Sequence, residues 1–161
     1  MQAEVMVALA AGALAITASR VLSARLKAKN AGTEKMQSIS AAVREGAFAY
    51  LEREYKIIAA FASLAFVAVY FLLGWKTAAA FACGASLSAL IGFIGMNNST
   101  RANVRTAQAA EHSLQEALQT GFSSGLITSL FAVGLGLIGV SLSYEYLGLE
   151  ALFGFGAGAS S

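Results

Sequence analysis

The sequence predicts an all-α integral membrane protein, and three observations lead to that fold class. The 161-residue chain is 57% hydrophobic and only 12% charged. It contains no proline, the residue that most strongly interrupts a helix. Ten of its eleven Lys and Arg residues fall within residues 20–56 and 101–116, and long uncharged runs border both stretches. We therefore expect a single membrane domain over residues 1–161, with four transmembrane helices and the start of a fifth.

The uncharged runs define the expected spans. A helix rises about 1.5 Å per residue and the hydrocarbon core is about 30 Å thick, so a crossing needs roughly 20 mostly apolar residues. The first run is shorter, but Arg20 at its end can extend its side chain to the headgroups. The expected spans are approximately residues 3–24, 56–75, 77–100 and 118–144. A fifth begins near residue 151 and is incomplete at residue 161, which predicts a fragment of a longer polypeptide.

The basic residues predict the orientation of the spans. Lys and Arg in short loops stay on the cytoplasmic side, whereas Asp and Glu contribute little. Only Lys76 lies between the second and third spans, so residues 25–55 and 101–117 are expected in the cytoplasm and the N-terminus outside. A signal peptide is the alternative for residues 1–22. Glu4 stands where a signal peptide carries Lys or Arg, and the basic cluster follows the apolar run, so a membrane span is favoured.

The cytoplasmic segments are expected to extend the spans as helices. Thr33 is suited to be an N-cap, and Glu34 follows it in the first turn. Apolar residues then recur at helical spacing, at Met36, Ile39, Val43, Ala47, Tyr50 and Leu51. A helix from Glu34 to Trp75 would be about 63 Å long, twice the hydrocarbon thickness, and would project into the cytoplasm. Residues 101–116 have similarly high helix propensity.

Small residues in the third and fourth spans predict close helix packing. They recur every four residues, at Gly84, Ser88 and Gly92 and at Gly121, Gly125 and Ser129. Gly134, Gly136 and Gly139 also satisfy the GxGxxG pattern of dinucleotide-binding loops. That fingerprint needs a preceding strand, a following helix and an acidic residue about 20 positions on. Here the glycines lie inside a 28-residue uncharged run, so we interpret them as another helix-packing face.

The sequence offers no catalytic, cofactor-binding or metal-binding residues. All nine acidic residues are Glu, and none lies in the three long uncharged runs. Hydrolysis of a phosphate anhydride through Mg²⁺ needs several converging carboxylates. Cys83 has no second cysteine to pair with, and His112 has no nearby Cys or His to share a metal. Glutamates are interspersed among the basic residues, so contact with anionic lipid is favoured over nucleic acid.

Three segments resemble one known family. Before the second span the chain reads Arg44-Glu-Gly-Ala-Phe-Ala-Tyr-Leu-Glu-Arg-Glu-Tyr55, and after the third it reads Thr100-Arg-Ala-Asn-Val-Arg-Thr-Ala-Gln-Ala-Ala110. The last segment is Gly154-Phe-Gly-Ala-Gly-Ala-Ser-Ser161. In order, they resemble the approach to the second helix, the exit of the third and the opening of the fifth in membrane-integral inorganic pyrophosphatases. The resemblance is carried by Arg44, Gly46, Ala47, Leu51, Arg53, Glu54, Tyr55, Arg101, Asn103, Arg105 and Thr106.

The resemblance implies a function that the residues alone do not. Members of that family have about sixteen transmembrane helices, work as homodimers, and hydrolyse cytosolic pyrophosphate with Mg²⁺, with K⁺ as an optional activator, while moving H⁺ or Na⁺ outward. This chain matches outer-ring helices that surround the catalytic inner ring. The 161 residues alone are then expected to be inactive, with the lipid bilayer and the parent protein's remaining helices as partners. The alternative is a self-contained four-span scaffold or small channel without enzymatic activity.

Overall fold

The computed structural model describes residues 2–160, which fold into five helices joined by short turns. Their bounds are Gln2–Ala28 for α1, Glu34–Leu73 for α2, Trp75–Ala110 for α3, Leu114–Leu147 for α4 and Ala151–Ala159 for α5. No strand occurs within the described residues, and α1 to α4 are long and apolar enough to cross a membrane. The predicted all-α membrane fold is confirmed. Ser161, the last residue of the third resembling segment, lies outside the described residues.

The predicted start of α2 is confirmed, and its end differs slightly from the prediction. Thr33 is the N-cap, and its hydroxyl oxygen accepts a hydrogen bond from the Met36 amide at 3.3 Å. The helix ends at Leu73 because Gly74 adopts a φ of 87°, a conformation that side chains disfavour. Trp75, expected as the last residue of α2, instead begins α3. A turn of one residue therefore joins the two longest helices.

The helix expected over residues 101–116 is divided in two. α3 ends at Ala110, and α4 begins at Leu114 with Ser113 as its N-cap. The Ser113 hydroxyl oxygen accepts a hydrogen bond from the Glu116 amide at 3.2 Å. This Ser-x-x-Glu spacing is a helix-start signal, and it outweighs the uniformly high helix propensity of the segment. The chain therefore reverses direction at residues 111–113.

α3 contacts α2, α4 and α5, whereas α1 packs on α4. α1 and α4 are antiparallel, because the Ser19 hydroxyl donates to the Ile127 carbonyl at 2.7 Å and the Lys29 amino group donates to the Thr120 hydroxyl at 2.9 Å. Among the described residues, two small clusters of buried side chains lie within the core. One comprises Leu26, Ala102 and Ile127, and the other Ala80, Ala151 and Phe155.

Two of the three glycines of the GxGxxG pattern lie in helix interfaces, so the predicted packing face is confirmed for Gly134 and Gly139 but not for Gly136. A Cβ atom added at Gly134 would lie 2.7 Å from the Gly12 carbonyl oxygen of α1. One added at Gly139 would lie 2.6 Å from the Phe155 ring of α5. Gly136 faces open space, with nothing within 4 Å of an added Cβ. Gly134 and Gly139 therefore allow α4 to pack closely on α1 and α5, and no strand precedes the pattern among the described residues.

The small-residue faces predicted for α3 and α4 differ in how closely they pack. Gly84 lies against the backbone of α5, and an added Cβ at Gly92 would lie 2.8 Å from the Tyr55 hydroxyl. Gly125 has no neighbour within 4 Å, and Gly121 meets only the Thr106 methyl at 3.9 Å. These α4 glycines instead line an open groove of about 820 Å³ between α3 and α4. The prediction of close packing is confirmed for α3 and is wrong for this part of α4.

Candidate functional site, a basic pocket between three helices

A pocket of about 400 Å³ lies between the end of α1 and the adjacent parts of α2 and α3. Four basic residues line it, namely Lys27, Arg44, Arg101 and Arg105, together with the polar residues Gln37, Ser40 and Thr100. No glutamate is among its lining residues. We call it the basic pocket. It brings together Arg44 from the first resembling segment and Arg101 and Arg105 from the second, which are 57 or more positions apart in the sequence.

Arg44 is held in place at the contact between α2 and α3. Its guanidinium donates a hydrogen bond to the Asn97 side-chain oxygen at 2.8 Å and lies 5.3 Å from the centroid of the Phe48 ring. Phe48 in turn meets Phe93 edge to face, with ring centroids 5.6 Å apart. The cation–π contact and the amide bond fix a long side chain that would otherwise be mobile. Arg44 is thus a preorganised positive charge.

Arg105 connects α3 to the end of α1. Its Nη2 donates to the Lys27 carbonyl at 3.0 Å, and its Nη1 donates to the Arg101 carbonyl at 2.8 Å. The last carbonyls of a helix have no partner within the helix, and positive charge is favourable there. Arg105 therefore caps α1 from a neighbouring helix. The Nε atoms of Arg101 and Arg105 are buried and have no hydrogen-bond partner among the described residues.

The charged side chains that line the basic pocket are all positive. Within residues 3–160, none of its four basic side chains forms an ion pair with a glutamate within 4 Å. By contrast, Lys56, further along α2, contacts Glu52 at 2.7 Å. Clustered like charges without counter-charges produce a positive potential that favours an anion. Arginine guanidinium groups are well suited to a phosphate, because their donors match its oxygens in pairs.

The other resembling residues of α2 lie along its contact with α3 or face outward. Tyr55 donates its hydroxyl to the Ala89 carbonyl at 2.7 Å, which sets the register of the two helices. Leu51 is buried, and Ala47 and Glu54 are half-buried. Gly46 and Arg53 are exposed, and an added Cβ at Gly46 would have no neighbour within 4 Å. These residues do not line the basic pocket.

On α3, the remaining two resembling residues lie elsewhere. Asn103 and Thr106 line the open groove between α3 and α4. The sequence did not single out Asn97, which positions Arg44, although an amide pair at Asn97 and Asn98 interrupts the apolar run there. Among the described residues, no three His, Cys, Asp or Glu side chains are grouped so that they could hold a metal ion.

The surface of the long helices is apolar as well as exposed. Large side chains on α2 stand free, among them Phe61, Leu64, Phe71 and Leu72, the last of which is 81% exposed. Water would disfavour such a surface, and lipid or further helices would cover it. Together with the four spanning helices, it defines a multi-pass integral membrane protein.

Residues 13–161 match the family model described as inorganic H⁺ pyrophosphatase. The chain belongs to the inorganic H⁺ pyrophosphatase family.

Several curated proteins are similar to this chain. A protein of Clostridium tetani, named as a K⁺-stimulated pyrophosphate-energized sodium pump, is 40% identical over 163 residues, covering 100% of this chain and 24% of its own length. A K⁺-insensitive pyrophosphate-energized proton pump of Methanosarcina mazei is 40% identical over 153 residues, covering 93% of this chain and 23% of its own length. A second such proton pump, from Moorella thermoacetica, is 39% identical over 160 residues, covering 94% and 24%. The chain thus spans about a quarter of the length of these relatives.

Proposed function

We propose that this chain is the N-terminal portion of a primary ion pump that hydrolyses pyrophosphate and moves H⁺ or Na⁺ out of the cytosol. The match to the family over residues 13–161 carries the proposal, because it covers nearly the whole described structure. The names of the relatives include a sodium pump and proton pumps, with and without K⁺ stimulation, at nearly equal identity. The proposal therefore covers both ions and leaves K⁺ as an optional cofactor. The match favours a pump over a self-contained scaffold or channel.

Within that pump, α1 to α4 supply supporting outer-ring helices. Mg²⁺ is implied by the family, but the described residues do not fit such a site, because they group no three possible ligands. The nine acidic residues are all Glu, and none lines the basic pocket. Pyrophosphate and Mg²⁺ are therefore assigned to other parts of the parent protein. The exposed apolar surface of α2 is available to lipid, to those remaining helices or to the second subunit of a homodimer.

The proposed orientation has the N-terminus outside and the basic pocket on the cytoplasmic side of the membrane. It follows from the placement of Lys and Arg, of which only Lys76 lies near the α2–α3 turn. The packing supports alternate crossings, since α1 and α4 are antiparallel. α3 and α5 are parallel, because Gly154 lies on Thr77 and Gly158 on Phe81. In this orientation α3 and α5 both run inward.

Activity measurements on the full-length gene product and on residues 1–161 test the proposed function. Both proteins are reconstituted into vesicles and supplied with pyrophosphate and Mg²⁺, and phosphate release and ion uptake are measured. We expect the full-length protein to hydrolyse pyrophosphate and transport an ion, and the 161-residue protein to do neither. Absence of hydrolysis by the full-length protein would refute the proposed pump. Hydrolysis by the short protein would place catalytic residues where we find none.

Cysteine labelling tests the orientation. On a Cys83→Ala background, a membrane-impermeant thiol reagent added outside is expected to label Lys76→Cys and to leave Lys35→Cys unlabelled. Permeabilised vesicles, in which both should react, provide the control for accessibility. The reverse pattern would overturn the orientation.

A further inference from the structure

We propose that the basic pocket binds the phosphate of an anionic phospholipid. The ligand chemistry is a phosphate group, and the source to which we commit is a lipid of the leaflet next to the pocket. This inference rests on the pocket and on its depth in the membrane. It does not require that the parent protein hydrolyse pyrophosphate.

The charge of the basic pocket favours an anionic ligand. Four basic side chains surround a cavity of about 400 Å³ with no glutamate in its lining and no ion pair to any of them within residues 3–160. Assembling like charges is unfavourable unless an anion joins them. Basic pockets between transmembrane helices on the cytoplasmic side are typical headgroup sites. The pocket therefore has a positive potential that favours an anionic ligand.

Two guanidinium groups of the basic pocket are already held in place. Arg105 is already anchored through its Nη atoms, and Arg44 through Asn97, so little side-chain freedom is lost when a ligand binds. Phosphate oxygens can accept hydrogen bonds from guanidinium groups.

The depth of the pocket in the membrane favours a lipid as the source. Arg101 lies 27 residues after Gly74 along α3, which corresponds to about 40 Å. The hydrocarbon core is about 30 Å thick, and the bilayer with its headgroups is about 40–45 Å thick. With the α2–α3 turn at one surface, the α3 side of the basic pocket falls in the headgroup region of the other, and its α2 side, 30 or more residues before Gly74, lies at that depth or further out. A lipid phosphate is concentrated at that depth.

A separate apolar groove lies deeper in the membrane on the same face of the α2–α3 contact, at the level of the acyl chains. This groove of about 520 Å³ lies between α2 and α3, and its lining includes Ile58, Phe66 and Ser86. Ser40 of the pocket and Ile58 of the groove are 18 residues apart, or five helical turns, so they share a face of α2. The same spacing relates Val104 and Ser86 on α3.

Native mass spectrometry of the full-length protein in mild detergent tests the proposal. Phosphatidylglycerol is titrated against phosphatidylcholine with the same acyl chains, and the bound copies are counted. The variant Lys27→Gln is the main test, because its exposed amino group makes no hydrogen bond among the described residues and its loss leaves the fold intact. Arg25→Gln is the matched control, since Arg25 is also exposed on α1 and does not line the pocket.

We expect phosphatidylglycerol to bind more tightly than phosphatidylcholine, and Lys27→Gln to weaken it about five-fold, the effect of one charge near a lipid surface. Arg101→Gln should weaken it further, with the melting temperature measured to confirm folding. Arg25→Gln should have no such effect. Equal affinity in Lys27→Gln and Arg25→Gln would overturn the proposal, as expected if another part of the chain fills the pocket. Displacement of the lipid by millimolar inorganic phosphate or pyrophosphate would overturn the lipid as the source.

Discussion

The contact between Gly134 and Gly12 offers a sharp test of how α1 and α4 are held together. A Cβ atom at residue 134 would lie 2.7 Å from the Gly12 carbonyl oxygen and 3.2 Å from the Ile16 amide nitrogen. Both partners are backbone atoms, so they cannot rotate away. An ordinary contact begins at 3.4 Å, and the helices must separate locally by about 0.7 Å to accept Gly134→Ala. A gap of that size forfeits a quarter to a half of the dispersion energy between facing atoms.

The expected change in the free energy of unfolding follows from two opposing effects. Overpacking of this kind costs about 1–3 kcal/mol, whereas alanine is favoured over glycine in a helix by up to about 1 kcal/mol. Gly136→Ala is the matched control, because it lies two residues away on α4 with nothing within 4 Å of its Cβ and gains the helix propensity alone. We therefore expect the free energy of unfolding of Gly134→Ala to be about 1–3 kcal/mol below that of Gly136→Ala.

The assay is chemical unfolding of the full-length protein in mixed micelles, followed by circular dichroism. The double variant Gly12→Ala/Gly134→Ala should lose less stability than the sum of the two single losses, because one separation of the helices accommodates both methyl groups. Equal unfolding free energies for Gly134→Ala and Gly136→Ala would refute the close approach of α1 and α4. Strict additivity in the double variant would show that the two glycines do not face each other.

Three further substitutions test individual hydrogen bonds. Ser113→Ala should destabilise the start of α4 by about 1 kcal/mol and speed hydrogen exchange of the Glu116 amide. Ser38→Ala, exposed within α2, should have neither effect. Equal exchange of the Glu116 amide in the two variants would argue against the cap. Ser19→Ala removes the buried bond to the Ile127 carbonyl and should cost about 0.6 kcal/mol in micelle unfolding, while Ser63→Ala, which bonds only within its own helix, should cost less. Arg105→Gln should raise hydrogen exchange in the last turn of α1, since the Lys27 carbonyl loses its cap; unchanged exchange there would contradict that role.

Sequence patterns predicted the helices well because apolar run length and capping residues act locally. Thr33 fixes the start of α2 through its own side chain, and the prediction at that residue is confirmed. The predicted end at Trp75 and the continuous helix over residues 101–116 were wrong, because Gly74 and Ser113 act through local backbone geometry that composition does not show. Both residues could have been recognised from their turn and capping chemistry.

The basic pocket could not be predicted, because it depends on how three helices align. The bond from Tyr55 to Ala89 places residues 93–100 of α3 beside the charged part of α2, although those residues carry no charge themselves. An uncharged run in one helix therefore does not show how deep that helix lies in the membrane when the helix beside it is charged at the same level. The convergence of Arg44 with Arg101 likewise follows from helix register, which spacing in the sequence does not contain.

The single-residue turn at Gly74 bears on how the protein is made. α2 and α3 leave no loop between them, so the pair can enter the bilayer as one hairpin whose tip is Gly74 followed by Trp75 and Lys76. In the proposed orientation, one ammonium group is the sole basic charge that this hairpin must carry across during insertion. Trp75, 60% exposed at the tip, is a residue type that favours the membrane–water interface. The turn would thus let the longest helices of the chain reach their final positions in one concerted translocation.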